Sequence, residues 1–198
     1  MGVLGGSGGV GASAFAAVLA RACAPSTLVD CDAVGGGVDV LLGMEASAGV
    51  RWSGIAVDGG QLDPAALDAG VPHWCGVRVV AADGAVDPGA LVEVVGAAEQ
   101  LGTVVLDLPR SPSELRDRAA WLCTLLVVVS AVSVRGLAAA RALVRSLPDV
   151  PVGLVTRAAS TGSPVGVPVL GVASEIDPQR PARPLLELAA GILDGVSA

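Results

Sequence analysis

The sequence contains no lysine: all twelve basic residues are arginine, set against nineteen Asp and Glu, for a net charge of −7. That balance leaves no cationic surplus for holding nucleic acid or an anionic membrane surface, so neither is expected as a partner. Tyr is absent and Phe occurs once, so the apolar fraction of 53% is carried by Val, Ala and Leu. This is the composition of buried parallel strands covered by Ala- and Leu-rich helices. No apolar run approaches the roughly 20 residues of a membrane span. The longest, WLCTLLVVVSAV at 121–132, is short and β-branched and is expected to be a central strand. The opening MGVLGGSGG lacks the basic and apolar regions of a secretory signal, which points to a cytoplasmic protein. Cys23, Cys31, Cys75 and Cys123 form no CxxC pair and are expected as reduced core thiols. His73 and Cys75 make at most half of a zinc site.

What is present is an alternation of apolar runs and Ala-rich stretches over 198 residues, enough for one α/β domain spanning 1–198 with a doubly wound, mostly parallel sheet. Strands are expected at "VL" near the start, STLVDC, GVRVVAA, TVVLDLP, LLVVVS, VPVGLVT and VGVPVLGV. Helices are expected at 13–23, 88–101, 134–147 and 182–196, with a short one opened by Asp63 and Pro64.

Between the first strand and the first helix runs GGSGGVGAS, residues 5–13. A strand, a glycine loop and a helix start together gather backbone N–H groups and the positive end of a helix dipole around one point, which suits a phosphate. Glycine allows the unusual φ angles and the close approach to the anion. Two more segments end in carboxylates: LVDCDAVGGGVD, with Asp30 and Asp32, and VVLDLP, with Asp107. In an open α/β sheet the carboxyl ends of neighbouring strands share one edge, so these side chains are expected to face the glycine loop. There they would supply Mg²⁺ ligands and a group to orient water.

The order GGSGGVGAS, LVDCDAVGGGVDVLLG, VVLDLPR resembles the deviant Walker A, switch I and Walker B segments of the MinD/ParA group of P-loop ATPases. Within that group it is most similar to the CpaE/TadZ-like proteins of actinobacteria, linked to Flp/Tad pilus assembly and to septum-site regulation. RWSGI, QLDPAAL and LLVVVSAVSVRGLAAARALV extend the resemblance over nearly the whole chain. The resemblance implies a nucleotide loop formed by Gly6, Ser7, Gly8, Gly9, Val10, Gly11, Ala12 and Ser13. It implies Mg²⁺ held by Ser13, by Asp107 through water and with support from Asp30, and Asp32 orienting the attacking water. Thr156 and Arg157 fall where the family contacts adenine. It further implies ATP and Mg²⁺ as cofactors, a homodimer facing across the loop edge, and protein partners in a pilus, secretion or division machinery. The family's preceding receiver-like domain is not expected in a sequence whose loop begins at residue 5.

The family's loop reads KGGxGK[ST], and here Ser7 and Ala12 stand where its two lysines would be. Each phosphate-bound lysine contributes a charge-assisted hydrogen bond of about 1.5–3 kcal/mol, so losing both weakens nucleotide binding by roughly 10² to 10⁴-fold. Hydrolysis depends on positioned positive charge and should suffer more. With no lysine in the chain, a second copy has none to lend. Two readings follow: a scaffold or nucleotide-biased assembly factor with little or no hydrolysis, or a slow ATPase helped by an arginine such as Arg51 or Arg110. The closing helix carries Glu187 and Asp194 against Arg183, so it lacks the basic face of a membrane-binding helix and is expected to pack on the sheet.

Overall fold

The computed structural model describes residues 1–57, 61–160 and 162–197. Eight strands form one sheet: β1 (Gly2–Gly5), β2 (Ser26–Asp30), β3 (His73–Trp74), β4 (Val77–Val80), β5 (Thr103–Asp107), β6 (Leu126–Ser130), β7 (Val152–Thr156) and β8 (Val169–Val172). Their spatial order is β3-β4-β2-β5-β1-β6-β7-β8, and every pair is parallel except β3 with β4. The helices are α1 (Ala12–Ala22), α2 (Val38–Leu41), α3 (Pro64–Gly70), α4 (Pro88–Glu99), α5 (Glu114–Trp121), α6 (Val134–Ser146) and α7 (Arg183–Ser197).

Strand side chains alternate between the two faces, and each face has its own core. On one, Leu4, Val29, Leu106 and Val128 meet Leu91 and Val94 of α4, Ala119 and Ala120 of α5, and Ala140 and Leu143 of α6. On the other, Val3, Leu28, Val105 and Val127 meet Phe15 and Leu19 of α1 and Leu185, Ala189 and Ile192 of α7. Both faces being covered, the strands can be apolar on both sides, which is why they read as continuous Val and Leu runs. α7 packs against α1 and the sheet, as its amphipathic pattern suggests.

Local chemistry sets the helix starts. Asp63, Asp87, Ser113 and Ser133 each accept a hydrogen bond from a first-turn N–H, and Pro64 and Pro88 occupy the first turns of α3 and α4. α1 is different: its N-cap is Gly11, in the left-handed region at φ +89°, with no side-chain cap.

Three elements depart from the sequence reading: the one-turn α2, β3 and α5. β3 is a two-residue antiparallel edge strand joined to β4 through Cys75 and Gly76, both at positive φ. α5 precedes β6, so the WLCTLLVVVSAV run is a strand only over Leu126–Ser130, and Trp121 closes the helix with 62% of its surface exposed. The helix hides from an apolar pattern because a charged residue fills its core position. Arg116, 2% exposed, donates to Asp117 on its own helix and to the hydroxyl and carbonyl of Ser146 on α6.

Candidate functional site

β1 runs into the glycine loop, and the loop enters and leaves under tight constraint. Gly6 donates to the Val129 carbonyl at 2.8 Å, and a Cβ added there would lie 2.9 Å from that of Ala140 on α6. Ser7 is half-buried, whereas Gly8 and Gly9 are exposed, with open space where a Cβ would be. Gly9 adopts φ +70° and Gly11 φ +89°, conformations that favour glycine. Between them Val10 is buried among Phe15 and its neighbours and anchors the loop from below. Ala12 and Ser13 form the first turn of α1, whose leading N–H groups receive no side-chain cap. Such a helix start accepts an anion.

The ladder places the carboxylates at the same edge. Asp30 and Asp107 are register partners on β2 and β5, and Asp107 is also partnered with Val3 of β1. Burial pushes the Asp107 carboxyl up to about 7; the Ser13 hydroxyl restrains the rise, and the Asp30 and Asp32 charges add to it. A buried carboxyl beside a hydroxyl, in need of positive charge, fits a divalent cation, so Ser13 and Asp107 are the residues that would hold Mg²⁺.

Asp30 has other duties. One oxygen accepts the Asp32 N–H at 2.9 Å and the other accepts those of Val38 at 3.0 Å and Ala82 at 3.3 Å. Burial raises its pKa, while these three N–H groups pull it down. Its oxygens thereby organise the 31–38 loop and the end of β4. Among the described residues no group of three His, Cys, Asp or Glu side chains is placed to hold a metal ion by itself. Mg²⁺ characteristically keeps several waters and needs few protein ligands. Asp32 stays half-buried in the loop that Asp30 holds, and accepts the Val34 N–H at 3.2 Å.

Thr156, which ends β7, and Arg157, which follows it, are the residues that the resemblance puts at the adenine position. Thr156 is fully buried and its hydroxyl donates to the Gly171 carbonyl at 3.4 Å, so its side chain offers nothing to a base. Arg157 reaches back to the loop itself, donating to the Val10 carbonyl at 2.7 Å and to that of Ser174 at 2.9 Å. Arg51 is committed as well, to Asp39 and to the carbonyls of Met44, Ser47 and Gly49. Arg110 is exposed just beyond Asp107.

Sequence reasoning missed the Arg157 contact because 147 positions separate the partners. It also missed what RWSGI does locally: the Trp52 indole donates to the Asp30 carbonyl at 2.7 Å and Ser53 bonds Asp83, bracing the carboxylate end of β2.

No family model matches the sequence. Two curated relatives, both uncharacterized proteins of Mycobacterium tuberculosis, from strains CDC 1551 / Oshkosh and ATCC 25618 / H37Rv, are 39% identical over 166 residues. The match takes in 81% of this chain but 47% of each relative, so the chain spans about half the length of the curated relatives it matches. Among solved structures, the ParA family ATPase of Chlorobium tepidum TLS superposes with a TM-score of 0.68 at 17% identity, over 99% of this chain and 89% of that one. The cell division ATPase MinD of Pyrococcus furiosus gives 0.68 at 18%, over 98% and 97%. The septum site-determining protein MinD of Pyrococcus horikoshii OT3, complexed with Mg-ADP, gives 0.64 at 16%, over 100% and 99%. No helix among the described residues is long and apolar enough to cross a membrane. With its strand order, its glycine loop between β1 and α1, and its carboxylates at the ends of β2 and β5, the chain has the MinD/ParA-type P-loop NTPase fold.

Proposed function

We propose that the chain is a nucleotide-biased positional or assembly factor of a pilus/secretion (Tad) or septum-site system, binding Mg-ATP weakly and hydrolysing it slowly or not at all. One observation carries the reading: the loop keeps its left-handed glycines and uncapped helix start, but Ser7 and Ala12 supply no charge to a phosphate. The binding half of the chemistry needs backbone N–H groups, a hydroxyl and a cation. The catalytic half needs charge aimed at the transferring phosphoryl group, and Arg51 and Arg157 are spent on backbone carbonyls.

In this reading Ser13 and Asp107 would hold Mg²⁺, which would offset the phosphate charge, and Asp32 sits on the loop that Asp30 holds. A partner surface at the same edge is supported by Val34 and Val134, 94% and 92% exposed, on segments that follow β2 and β6. Weak nucleotide binding would then bias a homodimer or a complex with another protein of the assembly. Calorimetric titration with ATP and Mg²⁺, followed by sizing of the same sample, tests this. Weak binding with a change in mass, and no phosphate release above a protein-free control, is expected. Turnover abolished by Asp32→Ala would replace this reading with the slow ATPase.

A further inference from the structure

Arg157 follows β7 yet makes its contacts on the glycine loop. One terminal nitrogen of its guanidinium lies 2.7 Å from the Val10 carbonyl, and the other 2.9 Å from that of Ser174. The fit is close: a Cβ added to Gly11 would lie 2.8 Å from that first nitrogen and 3.5 Å from Ile176 Cδ1. Among the described residues the Nε is buried without an acceptor, and two carbonyls hold the guanidinium.

The segment that carries Ser174 is itself tied down. Arg21 of α1 donates to the carbonyls of Pro178 and Gln179 at 3.0 and 3.2 Å and lies over the Trp74 ring, 5.6 Å from its centroid. The Gln179 side chain donates to the Leu42 carbonyl, just past α2, at 2.5 Å. The 174–179 stretch thus straps together α1, the end of the 31–42 region and, through Arg157, the glycine loop.

We infer that Arg157 is the positioning residue of the glycine loop. It holds the Val10–Gly11 corner from within the chain, giving the N–H cradle its shape before any ligand arrives. The inference rests on the loop being the functional site, and it adds a mechanism to that site: in a chain without lysine, the nearby cation is spent on the loop's backbone, not on the phosphate. Loop order is thereby separated from phosphate binding. A ligand meets a formed cradle and loses less freedom on binding, which offsets part of the missing charge. Any event that moves the 174–179 strap acts on the cradle through the same guanidinium.

The test is hydrogen exchange of the ligand-free full chain, reading the Phe15 amide, which closes the first turn of α1 on the Gly11 carbonyl at 3.0 Å. Arg157→Ala is expected to speed exchange there and across 6–14 by about tenfold, the order expected for one charge-assisted hydrogen bond, with the β2 and β4 amides unchanged. Arg157→Lys, which keeps a donor for Val10, is expected to recover part of the protection. Unchanged exchange at 6–15 in Arg157→Ala overturns the assignment, and so does a rise spread evenly over the sheet. Ile176→Ala controls for packing and is expected to leave the Phe15 amide within about twofold of the parent, since it removes no hydrogen bond from the loop. If that variant loosens the loop as much as Arg157→Ala, packing and not the guanidinium holds the cradle. A Mg-ATP titration on the same variants separates the readings: no binding to the parent chain sinks the nucleotide function, while the exchange data still decide the role of Arg157.

Discussion

Asp30 and Asp107 stand opposite one another on adjacent parallel strands, and their carboxyl groups do different work. Asp30 gathers three backbone N–H groups and fixes the loop that carries Asp32. Asp107 lies buried beside the Ser13 hydroxyl with two acidic neighbours and a pKa pushed up to about 7. One carboxyl builds the edge, and the other is left in need of a cation.

The Asp107 value fixes the sign of a pH effect. Between about 4 and 7 the folded chain keeps a proton that the unfolded chain has released, so stability falls as pH rises through that window and levels off above it. Asp30, also raised by burial, adds to the trend in the same direction. Thermal melts from pH 5 to 8 should show the decline, and Asp107→Asn should flatten most of it. Added Mg²⁺ should raise the melting temperature at pH 8 far more than at pH 5, because it binds the ionised carboxylate.

Removing the Asp30 acceptors strands buried donors. Asp30→Ala is expected to destabilise by about 1–3 kcal/mol for each N–H left without a partner, discounted where water reaches the loop. Limited proteolysis should cut the variant between residues 31 and 42 before any site in the β5–β6 core.

The glycines of the loop are not equivalent. Gly11→Ala meets both a φ of +89° and the Arg157 guanidinium, and should cost about 1–3 kcal/mol. Gly8→Ala faces open space and should stay within about 0.5 kcal/mol of the parent chain in denaturant unfolding.

Restoring one charge tests the missing-lysine argument. Ala12→Lys puts an ammonium on the first residue of α1, beside the proposed phosphate, and should tighten Mg-ATP binding by about tenfold or more. If affinity in calorimetry is unchanged, the loop does not take the phosphate.

Much of this was legible in the chain. Seven of the eight strands announce themselves as Val- and Leu-rich runs, most of them covered on both sheet faces. Asp63 and Pro64, or Pro88, mark helix starts by chemistry confined to a few residues. α5 was not legible because its inward position is held by Arg116, paired with Asp117 and Ser146, which no apolar period can show. β3 is too short to carry a pattern. In the site, the glycine spacing and the strand-end carboxylates gave the loop and the edge. The division of labour between Asp30 and Asp107, and the turn of Arg157 towards Val10, depend on partners brought together only by the sheet.

Gly6 and Gly11 end the loop in different layers of the molecule. Gly6 lies against Ala140 of α6, on one face of the sheet, while Gly11 opens α1 on the other. At the edge of the sheet the loop therefore starts against one helical layer and ends on the other. A side chain enlarged at position 140 presses on it from the side remote from α1, so the shape of this site is a property of the whole three-layer stack.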